Sequence, residues 1–390
     1  MKGKLLTING PFAASVREYE IPVAGDGGMV IKVEAAMICG SDGHYIRMQP
    51  KVPFCDGHEF AGEIISMGKN ANKEIYSFGG ELKVGDRVVV YPHITCGHCR
   101  DCLTYGNGTC GACEEDFLYG SPYSCEKGEE SLNTNPELFP HFKGGFAEYV
   151  YIFPGTYVWK IPDDMPGRIA ALLDPVAVAV RAIEMAAASD NVWTNGISTS
   201  TRVLVIGAGP IGIIAAMLLK HMGVREVIIT DGIERKLQLA LEIAKVDRAI
   251  NVGNMKTEDR IHHICEITEG GADIVLQCAN HISATIEGLQ MVRMLGTYIE
   301  VGVTKSKFTG GKRCEVDIPR LFFERNARIA GLIALKPSTY DKAFELLKKH
   351  KELPFEKLIT HEFHELDQYL ETIKKMGDED YLKAVYTPAT

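Results

Sequence analysis

The stretch VLVIGAGPIG, Val203 to Gly212, restricts the fold of this chain more than any other. An apolar run that reads as a strand meets the spacing G-x-G-x-x-G at Gly207, Gly209 and Gly212, and IGIIAAMLLKHMG then has the pattern of a buried helix. A strand that turns through glycines into a helix is the context in which this spacing binds a dinucleotide. Gly207 permits the tight turn, Gly209 lets the backbone approach a pyrophosphate, and Gly212 lets helix and strand pack closely. With Pro210 and Ile211 between them, they set the phosphates at a helix N-terminus, where free N–H groups and the helix dipole favour an anion. The next strand, EVIITD, ends at Asp231, 19 residues after Gly212. A carboxylate there accepts hydrogen bonds from the adenosine ribose and repels a 2′-phosphate, so the expected cofactor is NAD. Arg235 and Lys236 lie close enough to soften that preference.

The alternation continues downstream. ERKLQLALEIAKV reads as a helix, ADIVLQCA as a strand, ISATIEGLQMVR as a helix, and GTYIEVGV as a strand that brings Val301 to the cofactor. Such alternation predicts an α/β, doubly wound parallel sheet over about 178–335. Residues 1 to about 110 differ: MVIKVEAAMI and DRVVVYPHI are strand-like, with polar turns such as KVGDRV between strands. Residues 111–143 read as a long surface excursion, and the tail after about 336 as mostly helical.

At 46% hydrophobic and 24% charged residues, the 390-residue chain can bury a large core. A net charge of −9 argues against general binding to nucleic acid or anionic membranes. The start, MKGKLLTINGP, lacks the apolar centre of a signal peptide, and Val203–Leu219 carries three glycines and a proline, so neither segment reads as a membrane anchor. With eleven cysteines, an odd count, and no export signal, a disulfide framework is not expected; a cytoplasmic, metal-binding protein is.

Two groups of residues have the chemistry of metal ligands. One is scattered: Cys39, with Ser41, Asp42 and His44 in CGSDGH, then His58 and Glu59 in DGHEFAG, and Asp174 in LLDPVA. A thiolate, an imidazole and carboxylates are the ligand types of a catalytic zinc that keeps one position for substrate. The other is compact: CGHCRDCLTYGNGTC carries Cys96, Cys99, Cys102 and Cys110, a spacing suited to one ion, with Cys113 as a rival for the fourth place. The last gap is too long for a ferredoxin-type iron–sulfur run.

CGSDGH, GHEFAG, VGDRVVV, the cysteine loop, GGFAEY and VLVIGAGPIG, in this order and spacing, resemble the zinc-containing medium-chain alcohol dehydrogenases over nearly the whole chain. Asp174-Pro175 makes the likeness strongest to the sorbitol, threonine and butanediol dehydrogenase branch, where classical alcohol dehydrogenases carry a cysteine. The resemblance implies a mainly β, GroES-like catalytic domain from 1–177 and 336–390, with a zinc lobe at about 94–113, and a Rossmann-type domain at 178–335. It implies two zinc ions per chain. Cys39, His58, Glu59 and Asp174 would serve the catalytic one. Cys96, Cys99, Cys102 and, by the family pattern, Cys110 would serve a structural one. Ser41 and His44 would relay the alcohol proton, with Asp42 orienting His58. The expected activity is NAD-dependent oxidation of a secondary alcohol such as a polyol, sugar or cyclic alcohol, by a homodimer or homotetramer. The alternatives are oxidation of a hydroxy amino acid, as by a threonine dehydrogenase, or reduction of a carbonyl compound with NAD(P)H.

Overall fold

Six stretches between Arg202 and Gly331 pair side by side, all parallel, in the computed structural model of the chain. Numbered within this unit they are β1 (Arg202–Ile206), β2 (Glu226–Asp231), β3 (Arg248–Asn251), β4 (Ala272–Gln277), β5 (Val292–Glu300) and β6 (Arg328–Gly331), in the spatial order β3-β2-β1-β4-β5-β6. Every residue of β1 is buried, as expected for a central strand covered on both faces. The order reverses between β1 and β4, which in doubly wound sheets marks the ligand crevice. Helix α1 (Pro210–His221) follows β1, with Pro210 at its start and Gly212–Leu219 wholly buried. The long apolar run is thus strand, turn and core helix, and no helix among the described residues is long and apolar enough to cross a membrane.

The sequence pattern did not disclose β3 and β6. Each has four residues, RAIN and RIAG, and neither is fully buried. Short edge strands of this kind carry too little periodicity to read.

The chain forms two compact units: Val178–Ile333, which holds this sheet, and Met1–Ala177 with Ala334–Thr390. The structure describes residues 1–113, 115–122, 134–188, 196–302, 315–333 and 335–389. Parts of the 111–143 excursion and of the 185–201 segment, with Cys125 and Cys314, lie outside the described residues.

In the unit built from both ends of the chain, Met29–Met37 is the hub of an eight-stranded sheet. It pairs antiparallel with Glu59–Met67, with Tyr149–Ile152 and with Lys383–Tyr386. Met37 sits opposite both Glu59 and Val385. This register brings the end of one strand and the beginnings of two others to the same margin of the sheet. Cys39, His58, Glu59 and Lys383 therefore meet there although they are far apart in sequence. Ile38 N–H donates to the Ala384 carbonyl at 2.9 Å and ties the strand ends together.

The tail is not only helical. Pro337–Lys349 and Tyr369–Lys374 are helices, but Ile359–Phe363 and Lys383–Tyr386 are parallel strands of the large sheet. Their four or five residues stand between helical patterns, and only pairing within that sheet makes them strands.

Candidate active site

At that sheet margin the Cys39 thiol, the His58 imidazole and the Glu59 carboxylate converge, with ligand atoms all within 4.8 Å of one another. His58 and Glu59 are buried. Burial, then the charge of Glu59, pushes the Cys39 thiol up to about 12, and Asp174 adds to the effect. Acids that raise one another's pKa in a buried cluster are chemically suited to a divalent cation, and the sulfur, nitrogen and oxygen donors are those of zinc. Ser41 Oγ lies 3.4 Å from His58 Nε2. On the other side of the ring, His58 Nδ1 and Asp42 Oδ1 are 3.4 Å apart, both buried and neither with a hydrogen-bond partner among the described residues. This is the arrangement expected when Nε2 is the ligand nitrogen and Nδ1–H is directed at a carboxylate. Asp42 Oδ2 accepts the Cys39 N–H at 2.8 Å, so one carboxylate braces two proposed ligands. Burial, then the charge of Asp56, holds Asp42 well above the usual carboxylate range. His44 is half-buried, and burial followed by Arg47 lowers its pKa from 6.5.

Lys383 is the residue that sequence reasoning did not anticipate here. Its Nζ donates to Glu59 Oε2, and the two side chains are 5% and 1% exposed. Burial opposes the lysine charge, but Glu59 and then Cys39 outweigh it and raise the Lys383 pKa. Asp174 stands at the start of the helix Leu173–Ala187. It is close enough to act electrostatically on Cys39 and Glu59, but it does not join the 4.8 Å group, and its Oδ1 accepts the Tyr340 hydroxyl.

The cysteine lobe departs from the expected ligand set. The four thiols brought within 4.8 Å are those of Cys96, Cys99, Cys102 and Cys113, not Cys110. Backbone N–H groups point at the sulfurs: Cys99 N to Cys96 Sγ at 3.3 Å, Cys102 N to Cys99 Sγ at 3.4 Å, and Cys96 N to Cys113 Sγ at 3.3 Å. Such bonds favour thiolates and so a cation among them. Cys110 is buried and used elsewhere: its Sγ accepts from Leu335 N at 3.3 Å and its N–H donates to Leu335 O at 3.0 Å. Gly108 and Gly111, at φ +83° and +77°, reverse the chain around it and return Cys113 to Cys96. Among the described residues no cysteine is in a disulfide.

In Val178–Ile333 the glycine loop has the geometry its sequence predicts. Gly207 has φ +101°, and a Cβ there would lie 2.9 Å from Ala279 N. A Cβ on Gly212 would stand 2.0 Å from the Gly207 carbonyl, whereas one on Gly209 would meet nothing within 4 Å. The open space is therefore where a pyrophosphate needs it. Gly209 caps α1 without a side-chain hydrogen bond, which leaves the N–H groups of the first turn after Pro210 for a ligand. Asp231 Oδ2 accepts Ala208 N–H at 2.8 Å and Oδ1 accepts Ile233 N–H at 2.9 Å, which ties the end of β2 to the loop. Arg235 is drawn along its own helix, 3.5 Å from Gln238 and 3.7 Å from Glu242. Val301 follows β5, and its N–H reaches Gln277 O at 2.9 Å.

Residues 25–163 match the family model for the alcohol dehydrogenase GroES-like domain, and residues 210–349 match that for zinc-binding dehydrogenases. The L-threonine 3-dehydrogenase of Aeromonas salmonicida is 30% identical over 364 residues, covering 91% of this chain and 90% of its own. This chain is a zinc-binding dehydrogenase of the medium-chain family. The L-threonine 3-dehydrogenase of Pseudoalteromonas translucida is 34% identical to it over 291 residues, 73% of this chain and 72% of that one. An alcohol dehydrogenase of Thermotoga maritima superposes on the dehydrogenase with a TM-score of 0.82 at 25% identity, over the whole of both chains.

In the dehydrogenase, the expected residues Cys39, Ser41, Asp42, His58 and Glu59 lie together, with Asp174 beside them. His44 is fixed near Ser41 through the backbone, its N–H donating to Ser41 O at 2.9 Å. Lys383 and Tyr340 carried no sequence signal, since a lone Lys in YLKAVYT and a lone Tyr in STYDKAF fit any surface strand or helix.

Proposed function

We propose that this dehydrogenase oxidises a secondary alcohol to a ketone and passes the hydride to NAD. The observation that carries the reading is the meeting of Cys39, His58 and Glu59 with Ser41 Oγ, 3.4 Å from His58 Nε2, at one buried margin. Zinc, when bound to Cys39, His58 and Asp174, supplies the Lewis acidity that makes a substrate hydroxyl give up its proton near neutral pH. NAD supplies the hydride acceptor. The chain's own groups do the rest. Ser41 takes the hydroxyl proton and hands it on, and His44, neutral at physiological pH, carries it to solvent. Asp42 keeps His58 and the Cys39 loop in place. Lys383 cancels the charge of Glu59, which would otherwise weaken the acidity the reaction needs. Cys96, Cys99, Cys102 and Cys113 would hold a second zinc, whose role with four thiolate ligands would be to stabilise the lobe.

Asp231 supports NAD over NADP, because its carboxylate stands at the end of β2 while Arg235 is engaged with Glu242 and Gln238. A secondary alcohol carrying a further polar group suits a site where Glu59, Asp174 and Lys383 gather about the Cys39 thiol. Polyols, sugars and cyclic alcohols belong to this class. The second reading, a hydroxy amino acid, is favoured by the curated relatives named L-threonine 3-dehydrogenase. The active species is expected to be a homodimer or homotetramer. The test is a panel of polyols, cyclic alcohols, L-threonine and ethanol with NAD, followed by absorbance of the reduced cofactor. Turnover of a secondary alcohol with poor use of ethanol is expected. Efficient ethanol oxidation would sink the proposal.

A further inference from the structure

The two carboxylates next to the Cys39 cluster have different partners. Glu59 is bonded to a cation, Lys383. Asp174 is bonded to a neutral hydroxyl, that of Tyr340. An ammonium cancels a carboxylate's charge, whereas a phenol orients it and leaves the charge in place. Of the two, only Asp174 thus has no cation bonded to it among the described residues, which leaves its carboxylate to a metal ion.

Tyr340 is held where it can do this. It is fully buried on the helix Pro337–Lys349. Tyr91 packs edge-on against it, with ring centroids 4.7 Å apart at 83°, and Trp159 stacks on it at 5.9 Å and 24°. Trp159 Nε1 donates to Asp341 Oδ1 at 3.0 Å, which pins the same helix turn. The Tyr91 hydroxyl donates to Gly108 O at 2.6 Å, inside the cysteine lobe. The direction of the Tyr340 hydroxyl is therefore set by two packed rings, and among the described residues it is the one hydrogen-bond donor to Asp174.

We propose that Tyr340 is a positioning residue for the catalytic metal: it fixes Asp174 by Oδ1 and leaves Oδ2 as the carboxylate ligand, while Lys383 keeps Glu59 out of that role. This rests on the reading of the Cys39 cluster as a metal site. Tyr340→Phe keeps the ring packing and removes only the hydroxyl. In the holoenzyme reconstituted with cobalt(II) at the exchangeable site, the variant should hold that ion about 10–100-fold more weakly by chelator competition, the usual effect of losing an outer-shell partner. The visible cobalt spectrum should change, and the lobe's ion and the melting temperature should stay close to wild type. Asp174→Asn provides the control that leaves Tyr340 packing untouched. If Tyr340 acts through Asp174, the double variant should bind cobalt no more weakly than Asp174→Asn alone. Unchanged affinity and spectrum in Tyr340→Phe would overturn the proposal. So would additive losses in the double variant, or equal loss of both ions with a lowered melting temperature, which would mark a merely structural tyrosine. A wild-type chain that binds an ion only in the lobe would instead overturn the metal reading itself.

Discussion

Replacing Lys383 with Met removes the ammonium that pairs with Glu59 while filling much of the same space. The two side chains are 5% and 1% exposed, so water cannot take over from the ammonium. Glu59 must then stay charged without that partner or take up a proton, and both cost folding free energy. Removing one member of a buried ion pair costs about 3–5 kcal/mol. At about 1.4 kcal/mol per decade, that is roughly two to three and a half decades in the folding equilibrium. A metal ion at the Cys39 cluster offers Glu59 a substitute positive charge, so the loaded protein should lose less than the depleted one. By linkage the variant must then bind the exchangeable ion more tightly than wild type. Trp159, fully buried in the same unit, reports on urea unfolding in a Trp193→Phe background, with and without that ion. Adding Glu59→Gln to Lys383→Met removes the orphaned charge and should recover most of the loss. A cost below about 1 kcal/mol, no recovery on adding Glu59→Gln, or weaker metal binding in Lys383→Met would refute the reasoning.

Cys113→Ser should release the lobe's zinc and damage folding, whereas Cys110→Ser should keep two zinc ions per chain; metal analysis of the two proteins decides between them. Asp231→Ser should raise KM for NAD and shift the preference toward NADP, with part of the loss common to both cofactors because Ala208 and Ile233 lose their acceptor; a wild type that strongly prefers NADP would contradict the assignment. His44 acts as a proton acceptor in its neutral form, and its pKa is lowered, so activity should fall only as pH drops below 6.5. In the pH–rate profile, His44→Asn should lower turnover and abolish that acid limb, and Arg47→Ala should move the limb upward.

The dinucleotide half was legible because each of its signals is local. Gly207, Gly209 and Gly212 lie within six residues and meet steric demands set by the same turn. Asp231 ends the very next strand. The buried Cys39 cluster was legible only where its proposed ligands come in short motifs, as in CGSDGH and GHEF. Spacing could not choose between Cys110 and Cys113, because both are reachable from one loop; the choice depends on Leu335, which claims Cys110 from the far end of the chain. Lys383 and Tyr340 were invisible for the same reason. Their roles depend on partners 324 and 166 residues away, reached through strand register and aromatic packing.

The strand Lys383–Tyr386 has a consequence for synthesis. A chain leaves the ribosome from its N-terminus at ~5–20 residues per second, and domains tend to fold as they emerge. Cys39, His58 and Glu59 are therefore exposed to the cell tens of seconds before Lys383 is made. Throughout that interval the nascent sheet carries an acid with no counter-charge and an open margin where its last strand belongs. A zinc ion arriving early meets Glu59 as an eager ligand, and one arriving late meets it already taken. The order in which metal and Lys383 reach Glu59 would then decide which of them it meets first.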